Sequence, residues 1–238
     1  MSWYGSRKYV SVSEKRTKAE KQIAKLRKKD PDLAPVTIEG RKISTTWWGT
    51  AWCKNLESYA DFSNRIGRGS SYVKNGFVVD LKIDKGIITG KVMGSRLYTV
   101  NIKIDVLNRE NSENIIKAVG RRIDSVADLA SGKFPKDFAE LFLVQNKGLF
   151  PSPKEIHMSC SCPDWAGMCK HVAAVLYGVG ARLDQDPLLF FKLRGVDVNS
   201  FVRASINEKI SLMMKNAKRK TERVMEGVDL WELFGVIR

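Results

Sequence analysis

Residues 155–186 read EIHMSCSCPDWAGMCKHVAAVLYGVGARLDQD, and they decide how this part of the chain folds. Cys160-x-Cys162 is followed, after six intervening residues, by Cys169-x-His171. Three thiols and one imidazole are the ligand set of a closed, tetrahedral structural zinc site. The pattern therefore predicts that these four residues bind one Zn²⁺ ion.

The local sequence also indicates how the four side chains converge. Residues 155–159 alternate as a strand does, so Cys160 and Cys162, two apart, project to the same face. Residues 163–167 form a turn long enough to fold back over the ion. Cys169 and His171 then open a helix over residues 170–183, where the positive helix end favours thiolate at Cys169.

A disulfide, a haem or an iron–sulfur cluster would use fewer of these side chains than zinc does. A disulfide between Cys160 and Cys162 closes a strained ring and leaves His171 without a role. The haem signature C-x-x-C-H is absent, and an iron–sulfur cluster needs distant Cys53 as its fourth thiol. His157 is a spare possible ligand, although an ordinary strand histidine fits its position better. Catalytic zinc requires an open coordination position and a general base, whereas the four donors of this motif fill a tetrahedral site and therefore favour structural zinc.

The spacing of the cluster resembles the SWIM-type zinc finger, including Pro163 after the second cysteine and the apolar residues after His171. The segments TTWWGTAWC near residue 45, GSRLYTV near residue 94 and the closing DLWELFGV extend the resemblance to the prokaryotic SWIM zinc finger proteins. This resemblance implies the same four zinc ligands and a finger that binds DNA or proteins. It also implies partnership with Swi/Snf-type helicases.

Upstream of the finger, the pattern predicts one helix and a small sheet. In residues 45–66, Trp48, Trp52 and Leu56 recur at helical spacing and predict a helix with an aromatic face. This face either stacks on bases or joins the core, and the size of the face favours the core. Residues 67–71, GRGSS, are expected to be a connecting loop, or one that wraps a phosphate. Residues 72–106 then alternate with period two and predict a three-stranded antiparallel meander.

Charge points to a polyanionic partner. The chain has 41 Lys and Arg against 26 Asp and Glu, a formal net charge of +15, and a pI near 9.7. Residues 1–42 hold 12 basic and 5 acidic groups, whereas residues 155–198 hold 4 and 5. Nucleic acid is the first candidate partner and an anionic membrane surface the second.

Two basic segments carry the candidate phosphate contacts. The first is a predicted helix over residues 14–29, capped by Ser13, and the second lies in the tail of a C-terminal helix that begins near Asn199. Either segment is alternatively a solvated helix face. The candidate residues are Lys15, Arg16, Lys18, Lys21, Lys25, Arg27, Lys28, Lys29, Lys218, Arg219 and Lys220.

Composition sets the broad class. At 43% hydrophobic and 9% aromatic residues, the chain is able to bury a core and is not mostly disordered. The longest apolar run, residues 172–181, is shorter than the roughly 20 residues of a membrane span, and no signal peptide is visible. Three of the four cysteines crowd into ten residues, which is unlike a disulfide framework and favours a reducing, cytoplasmic setting.

These observations predict an α+β fold: a Trp-rich amphipathic helix packed on the meander, then a helical C-terminal part containing the Cys₃His zinc finger. The expected organisation is a basic helical arm (1–35), the α+β domain (36–110), connecting helices (111–154), the finger (155–186) and a C-terminal helical region (187–238). The expected function is non-enzymatic, zinc-dependent nucleic-acid binding, DNA before RNA. The alternative is an adaptor that docks a Swi/Snf-type helicase or recombination partner through the finger.

Overall fold

The computed structural model describes residues 10–58, 63–120, 129–132, 134, 148–164 and 166–217. In these residues the helices are α1 (Val12–Arg27), α2 (Trp47–Glu57), α3 (Ser63–Lys74), α4 (Arg109–Gly120), α5 (Lys170–Gln185), α6 (Leu189–Leu193) and α7 (Asn199–Ala217). The strands are β1 (Val78–Asp84), β2 (Ile87–Met93), β3 (Leu97–Ile104) and β4 (Ile156–Cys160). A turn of 3₁₀ helix, Pro153–Glu155, precedes β4. The α+β class predicted from the sequence is confirmed.

The sheet is antiparallel with the order β1-β2-β3-β4. The three predicted strands form its meander, and the finger supplies the fourth strand at one edge. On β3, Tyr98, Val100, Ile102 and Ile104 are buried while the residues between them are exposed, as the alternation predicted. The pairing of Val100 with Cys160 places the first zinc ligand at the end of the sheet.

Strand β1 departs from simple alternation. Its residues 78–81 are all buried, and the register with β2 shifts between Val78 and Asp80. The segment before α2 runs along the free edge of β1: the Val36 amide donates to the Val78 carbonyl at 3.0 Å, and the Leu81 amide donates to the Ala34 carbonyl at 2.9 Å. This segment covers the edge of β1, and helix α1 (Val12–Arg27) contacts β1 and β2, so residues that strict alternation would expose are buried.

Helix α5 is the central helix of the fold. Twelve of its sixteen residues are buried, which is the signature of a helix surrounded by protein on all sides. One side meets the sheet, where a Cβ on Gly90 of β2 would lie 2.5 Å from Val175. Another side meets α2, where the Trp52 indole N–H donates to the Leu176 carbonyl at 2.8 Å. The finger helix thus lies between the tryptophan helix and the sheet.

The tryptophan segment forms two helices rather than one. Helix α2 ends at Glu57 and α3 begins at Ser63, and residues 59–62 lie outside the described residues. Trp48 is 9% exposed and Trp52 is 1% exposed. The Trp48 indole N–H donates to the Leu183 carbonyl at 2.8 Å. The interpretation of these two rings as core is therefore confirmed, since neither offers a face for stacking on a base.

The expectation of a loop at residues 67–71 is wrong, because these residues lie inside α3. The small residues are accounted for by packing against α5. A Cβ on Gly69 would lie 2.4 Å from Ala173 Cβ and 2.8 Å from its carbonyl carbon. Glycine at this position permits a helix contact closer than any side chain would allow.

Helix α1 begins earlier than expected. Ser11, not Ser13, is its N-cap: the Ser11 hydroxyl accepts a hydrogen bond from the Glu14 amide at 3.2 Å. The helix contacts β1 and β2 and buries Ala19, with Ile23 and Leu26 partly buried against the core. This narrow apolar stripe fixes the helix to the body of the protein.

The C-terminal prediction is only partly within the described residues. Helix α4 covers the start of the predicted connecting helices (111–154), of which residues 121–128, 133 and 135–147 are not among the described residues. Helix α7 begins at Asn199, near the predicted cap. Among the helices that the structure describes, none combines the length and apolar character that crossing a bilayer requires.

Candidate metal centre

Strand β4 and helix α5 position the cysteine and histidine side chains. Cys160 is the last residue of β4, and Cys169 is the N-cap of α5. The bend between them is anchored to β3: the Ser161 amide donates to the Thr99 carbonyl at 3.0 Å, and the Thr99 amide donates to the Ser161 hydroxyl at 2.9 Å. The sheet and the helix therefore hold the two halves of the site in place.

The four donor atoms converge on one point. His171 Nδ1 lies 3.8 Å from Cys169 Sγ and 3.9 Å from Cys160 Sγ, and the donor atoms of these residues and Cys162 all lie within 4.8 Å of one another. Zn–S distances of about 2.3 Å and Zn–N distances of about 2.0 Å give tetrahedral edges of about 3.5–3.8 Å. The arrangement therefore fits a zinc ion held by three sulfurs and Nδ1 of the imidazole.

Burial sets the protonation of these groups. It raises the pKa of the Cys160 and Cys169 thiols, and the Val172 amide, which donates to Cys169 Sγ at 3.5 Å, acts in the opposite direction on Cys169. Burial, with the nearby Lys170 ammonium, lowers the pKa of His171 to about 4. The imidazole is thus neutral and ready to ligate, whereas the thiols must release protons when the ion binds.

The histidine ring is enclosed by aromatic residues. Tyr98 stacks on it with a centroid separation of 4.4 Å, and Tyr72 approaches edge-on at 5.6 Å. Lys170 lies over the Tyr72 ring at 5.7 Å. With Nδ1 facing the sulfurs, Nε2 carries the ring proton, and it is buried with no hydrogen-bond partner among the described residues. A metal-binding histidine ordinarily donates this N–H to an acceptor.

The other candidate ligands lie elsewhere. His157 points away from the cluster and is 3.1 Å from Asp105 Oδ1, as expected of a strand histidine. Cys53 is buried against Gly180, nine residues along α5 from His171 and so about 13 Å up the helix. Burial raises the pKa of the Cys53 thiol to about 12. Cys53 is therefore a core residue, and no fourth thiol for an iron–sulfur cluster is present among the described residues.

Asp184, which no sequence motif predicted, joins the end of α5 to the start of α2. It accepts hydrogen bonds from the Ser44 hydroxyl at 2.6 Å, from the Thr45 amide at 2.5 Å and from the Thr46 hydroxyl. Burial raises its pKa, but these hydrogen bonds outweigh burial and hold the pKa below its usual value. The hydroxyl residues Ser44, Thr45 and Thr46 before the tryptophan helix are a visible sequence feature, but their partner Asp184 lies about 140 residues away in sequence.

The structure separates the predicted phosphate contacts into groups. Lys15 is half-buried and lines a cavity beside the finger together with Lys18. Arg16 donates to Asn75 Oδ1 at 2.8 Å. The remaining predicted residues of this segment, all exposed, are Lys21, Lys25, Arg27, Lys28 and Lys29. The three C-terminal candidates, Lys218, Arg219 and Lys220, lie outside the described residues.

Comparison with known proteins agrees with the site. Residues 150–179 match the SWIM zinc finger family. A protein of Mycobacterium tuberculosis (strain ATCC 25618 / H37Rv), described as uncharacterized, is 34% identical over 156 residues, covering 64% of this chain and 56% of that relative. The chain thus spans just over half the length of this relative. No solved structure matches the chain. The family match and the Cys₃His cluster together identify the segment as a SWIM zinc finger with Zn²⁺ as its cofactor.

Proposed function

We propose that this protein is a non-enzymatic nucleic-acid-binding protein, with DNA as the first candidate, and that its zinc finger serves to hold the binding surface together. The observation that carries the proposal is helix α1. It contacts the sheet through one narrow stripe, and its Lys and Arg side chains are exposed, apart from half-buried Lys15. A rigidly held row of cations suits a polyphosphate backbone.

Charge distribution supports this assignment of roles. Residues 1–42 carry 12 basic against 5 acidic groups, whereas residues 155–198 carry 4 against 5. Phosphate contacts that are largely independent of base sequence come from clustered Lys and Arg. We therefore assign phosphate binding to α1 and the surface around it, and expect the C-terminal Lys218, Arg219 and Lys220 to add contacts.

Burial of α5 supports a structural role for the finger. A helix that reads bases must present its side chains to a groove. Most of α5 instead packs against the sheet, α2 and α3. Four protein donors also complete a tetrahedral site, which is the arrangement of structural rather than catalytic zinc. The free cysteines fit a reducing compartment such as the cytoplasm.

The test is a salt-dependent binding titration. Zinc-loaded protein is titrated into fluorescently labelled single- and double-stranded DNA and RNA at about 50–200 mM salt. We expect binding that weakens steeply as salt increases, and weaker binding when Lys21, Lys25 and Lys28 are changed together to Gln. Undetectable binding to all four probes, or binding that does not respond to salt, would refute the proposal.

An adaptor that docks a Swi/Snf-type helicase or recombination partner through the finger is the second candidate. The near-neutral charge of residues 155–198 favours it, because protein interfaces are depleted in charge at their centre. Its test is co-purification of an ATPase after nuclease treatment, using wild-type protein and the Cys169→Ala variant. Recovery with the wild type alone would support the adaptor, and equal recovery with both would exclude docking through an intact finger.

A further inference from the structure

A cavity of about 380 Å³ lies beside the finger, where four parts of the chain meet. Helix α1 contributes Lys15 and Lys18, and the turn between β2 and β3 contributes Gly94 and Ser95. The start of α5 contributes Lys170 and the zinc ligand His171. Helix α3 contributes Tyr72, and Tyr98 at the start of β3 and Val10 before α1 complete the lining. The basic helix and the finger, which are far apart in sequence, thus share one cavity.

The lining is cationic. It includes three lysines, and the described residues that form it include no Asp or Glu. Arg96, which is not part of the lining, lies 5.5 Å from the centre of the Tyr98 ring. Lysines that line one concave space bring like charges toward one another, and an anion in that space offsets the repulsion. Their arrangement therefore favours binding of a compact anion.

A buried donor at the same place points to the same ligand. His171 is 3% exposed, and its Nε2 has no hydrogen-bond partner among the described residues. Because Nδ1 faces the zinc sulfurs, Nε2 bears the proton and requires an acceptor. A Cβ on Gly94 would lie 3.0 Å from Nε2 and 2.8 Å from the Tyr98 ring, so a side chain at position 94 would crowd the donor.

Hydroxyl groups add neutral donors. Ser95 Oγ and Tyr98 Oη are 2.7 Å apart, so one of the two donates to the other and the second proton remains available to a ligand. A phosphate group offers several acceptor oxygens and a charge that lysines neutralise. Lysines, a hydroxyl and an imidazole N–H together form a donor set suited to phosphate.

We propose that this cavity is a phosphate-binding pocket in which Lys15, Lys18 and Lys170 neutralise the anion and the N–H of His171, fixed by zinc, donates to one of its oxygens. The phosphate comes either from a nucleic-acid backbone, which rests on the function proposed above, or from free phosphate. The zinc ion then has a second effect, since it orients one of the donors of the pocket.

The first experiment observes the histidine directly. Full-length, zinc-loaded, ¹⁵N-labelled protein is titrated with inorganic phosphate, and with chloride at matched ionic strength, while NMR follows the His171 Nε2–H signal. We expect phosphate to move this proton signal downfield in a saturable manner and chloride to leave it in place. An unchanged signal at saturating phosphate would overturn the contact to His171.

The second experiment uses matched charge removal. The variant Lys15→Gln/Lys18→Gln/Lys170→Gln is compared with Lys54→Gln/Lys117→Gln/Lys154→Gln, which removes the same charge at exposed lysines outside the cavity. A labelled single-stranded oligonucleotide is titrated at several salt concentrations. We expect the pocket variant to lose at least about tenfold in affinity and its salt slope to fall by about 2, with a smaller loss for the control. Zinc content and thermal unfolding verify that both variants fold.

The outcomes separate the pocket from the proposed function. If phosphate moves the His171 signal but no oligonucleotide binds, the pocket takes free phosphate and nucleic-acid binding fails. If an oligonucleotide binds, both triple variants weaken it equally and phosphate leaves His171 unchanged, the pocket is refuted while the function stands. Selective loss in the pocket variant together with the phosphate-induced shift supports both.

Discussion

Two glycines on α3 give a sharp test of how this fold is packed. Gly67 and Gly69 are both within the helix, but Gly67 is exposed and a Cβ there would have no neighbour within 4 Å. Gly69 is buried, and a Cβ there would lie 2.4 Å from Ala173 Cβ and 2.9 Å from the Ala174 nitrogen. We expect Gly67→Ala to stabilise the protein and Gly69→Ala to destabilise it.

The magnitudes follow from two opposing effects. Alanine is favoured over glycine inside a helix by about 0.8–1.0 kcal/mol, and at Gly67 nothing opposes this gain. At Gly69 the new methyl group needs about 3.5–4.0 Å from other carbons, so it overlaps Ala173 by more than about 1 Å. Part of the contact is with backbone, which cannot rotate away, and overpacking of this kind costs about 1–3 kcal/mol.

The assay is equilibrium unfolding in urea, followed by the fluorescence of the buried tryptophans. Free zinc is held constant, because a ligand that binds only the folded state changes the apparent stability. We expect the free energy of unfolding to rise by about 0.5–1 kcal/mol for Gly67→Ala. For Gly69→Ala the overpacking cost, less the gain in helix propensity, gives an expected fall of up to about 2 kcal/mol. Because Ala173 is two residues from His171, zinc affinity should fall in the second variant only.

Equal stability of Gly69→Ala and Gly67→Ala would contradict the packing of α3 on α5 described above. Equal stabilisation would mean that helix propensity alone governs both positions and that α3 and α5 are not in close contact at Gly69.

Three further predictions follow from the site and its surroundings. Asp184→Asn should lower stability at pH 7 by about 2–3 kcal/mol, with Asp32→Asn as an exposed control, since the carboxylate accepts several hydrogen bonds. Because the pKa of Asp184 is lowered in the folded state, this stabilisation is present above about pH 4 and is lost in acid. If the difference in unfolding free energy between the wild type and Asp184→Asn stayed constant down to about pH 2, the assignment would be wrong. Arg194→Met should lower the free energy of unfolding, measured by chemical denaturation, by about 3–5 kcal/mol, because fully buried Arg194 pairs with Glu155 at 2.5 Å. A second change, Glu155→Gln, should restore part of this loss. Zinc affinity in competition titrations should fall steeply as pH decreases, because three thiols release protons on binding, and a pH-independent affinity would rule out thiolate ligation.

Local pattern was sufficient for the elements that depend on near neighbours. The alternation at Tyr98, Val100 and Ile102 gave the correct buried face of β3. Alternation did not predict the burial of β1, where residues 33–36 cover the strand edge, helix α1 contacts the strand, and residues on both faces are buried. Residues 67–71 look like a loop for the same reason that they form a helix contact: their small side chains are required by a partner about 100 residues away in sequence.

The donor set of the metal centre can be read from the order of residues along the chain. Four donors within twelve residues can reach one ion through local turns alone, so their spacing carries the information. The sequence also placed the basic residues along α1. It did not predict that this helix lies beside the finger. The charges of the two segments, counted separately, suggested that the basic helix and the finger are unrelated surfaces.

Two features emerge only when the chain is folded. The finger helix is the centre of the core, and Lys15 and Lys18 share a cavity with Lys170 and His171. The sequence signal for the first was the uncharged run of residues 172–181, which is apolar around the whole helix. No comparable signal exists for the second, because cations far apart in the chain have no mutual pattern. They come together because of which apolar faces pack against each other. That packing depends on how all the helices and strands bury their apolar surface at once.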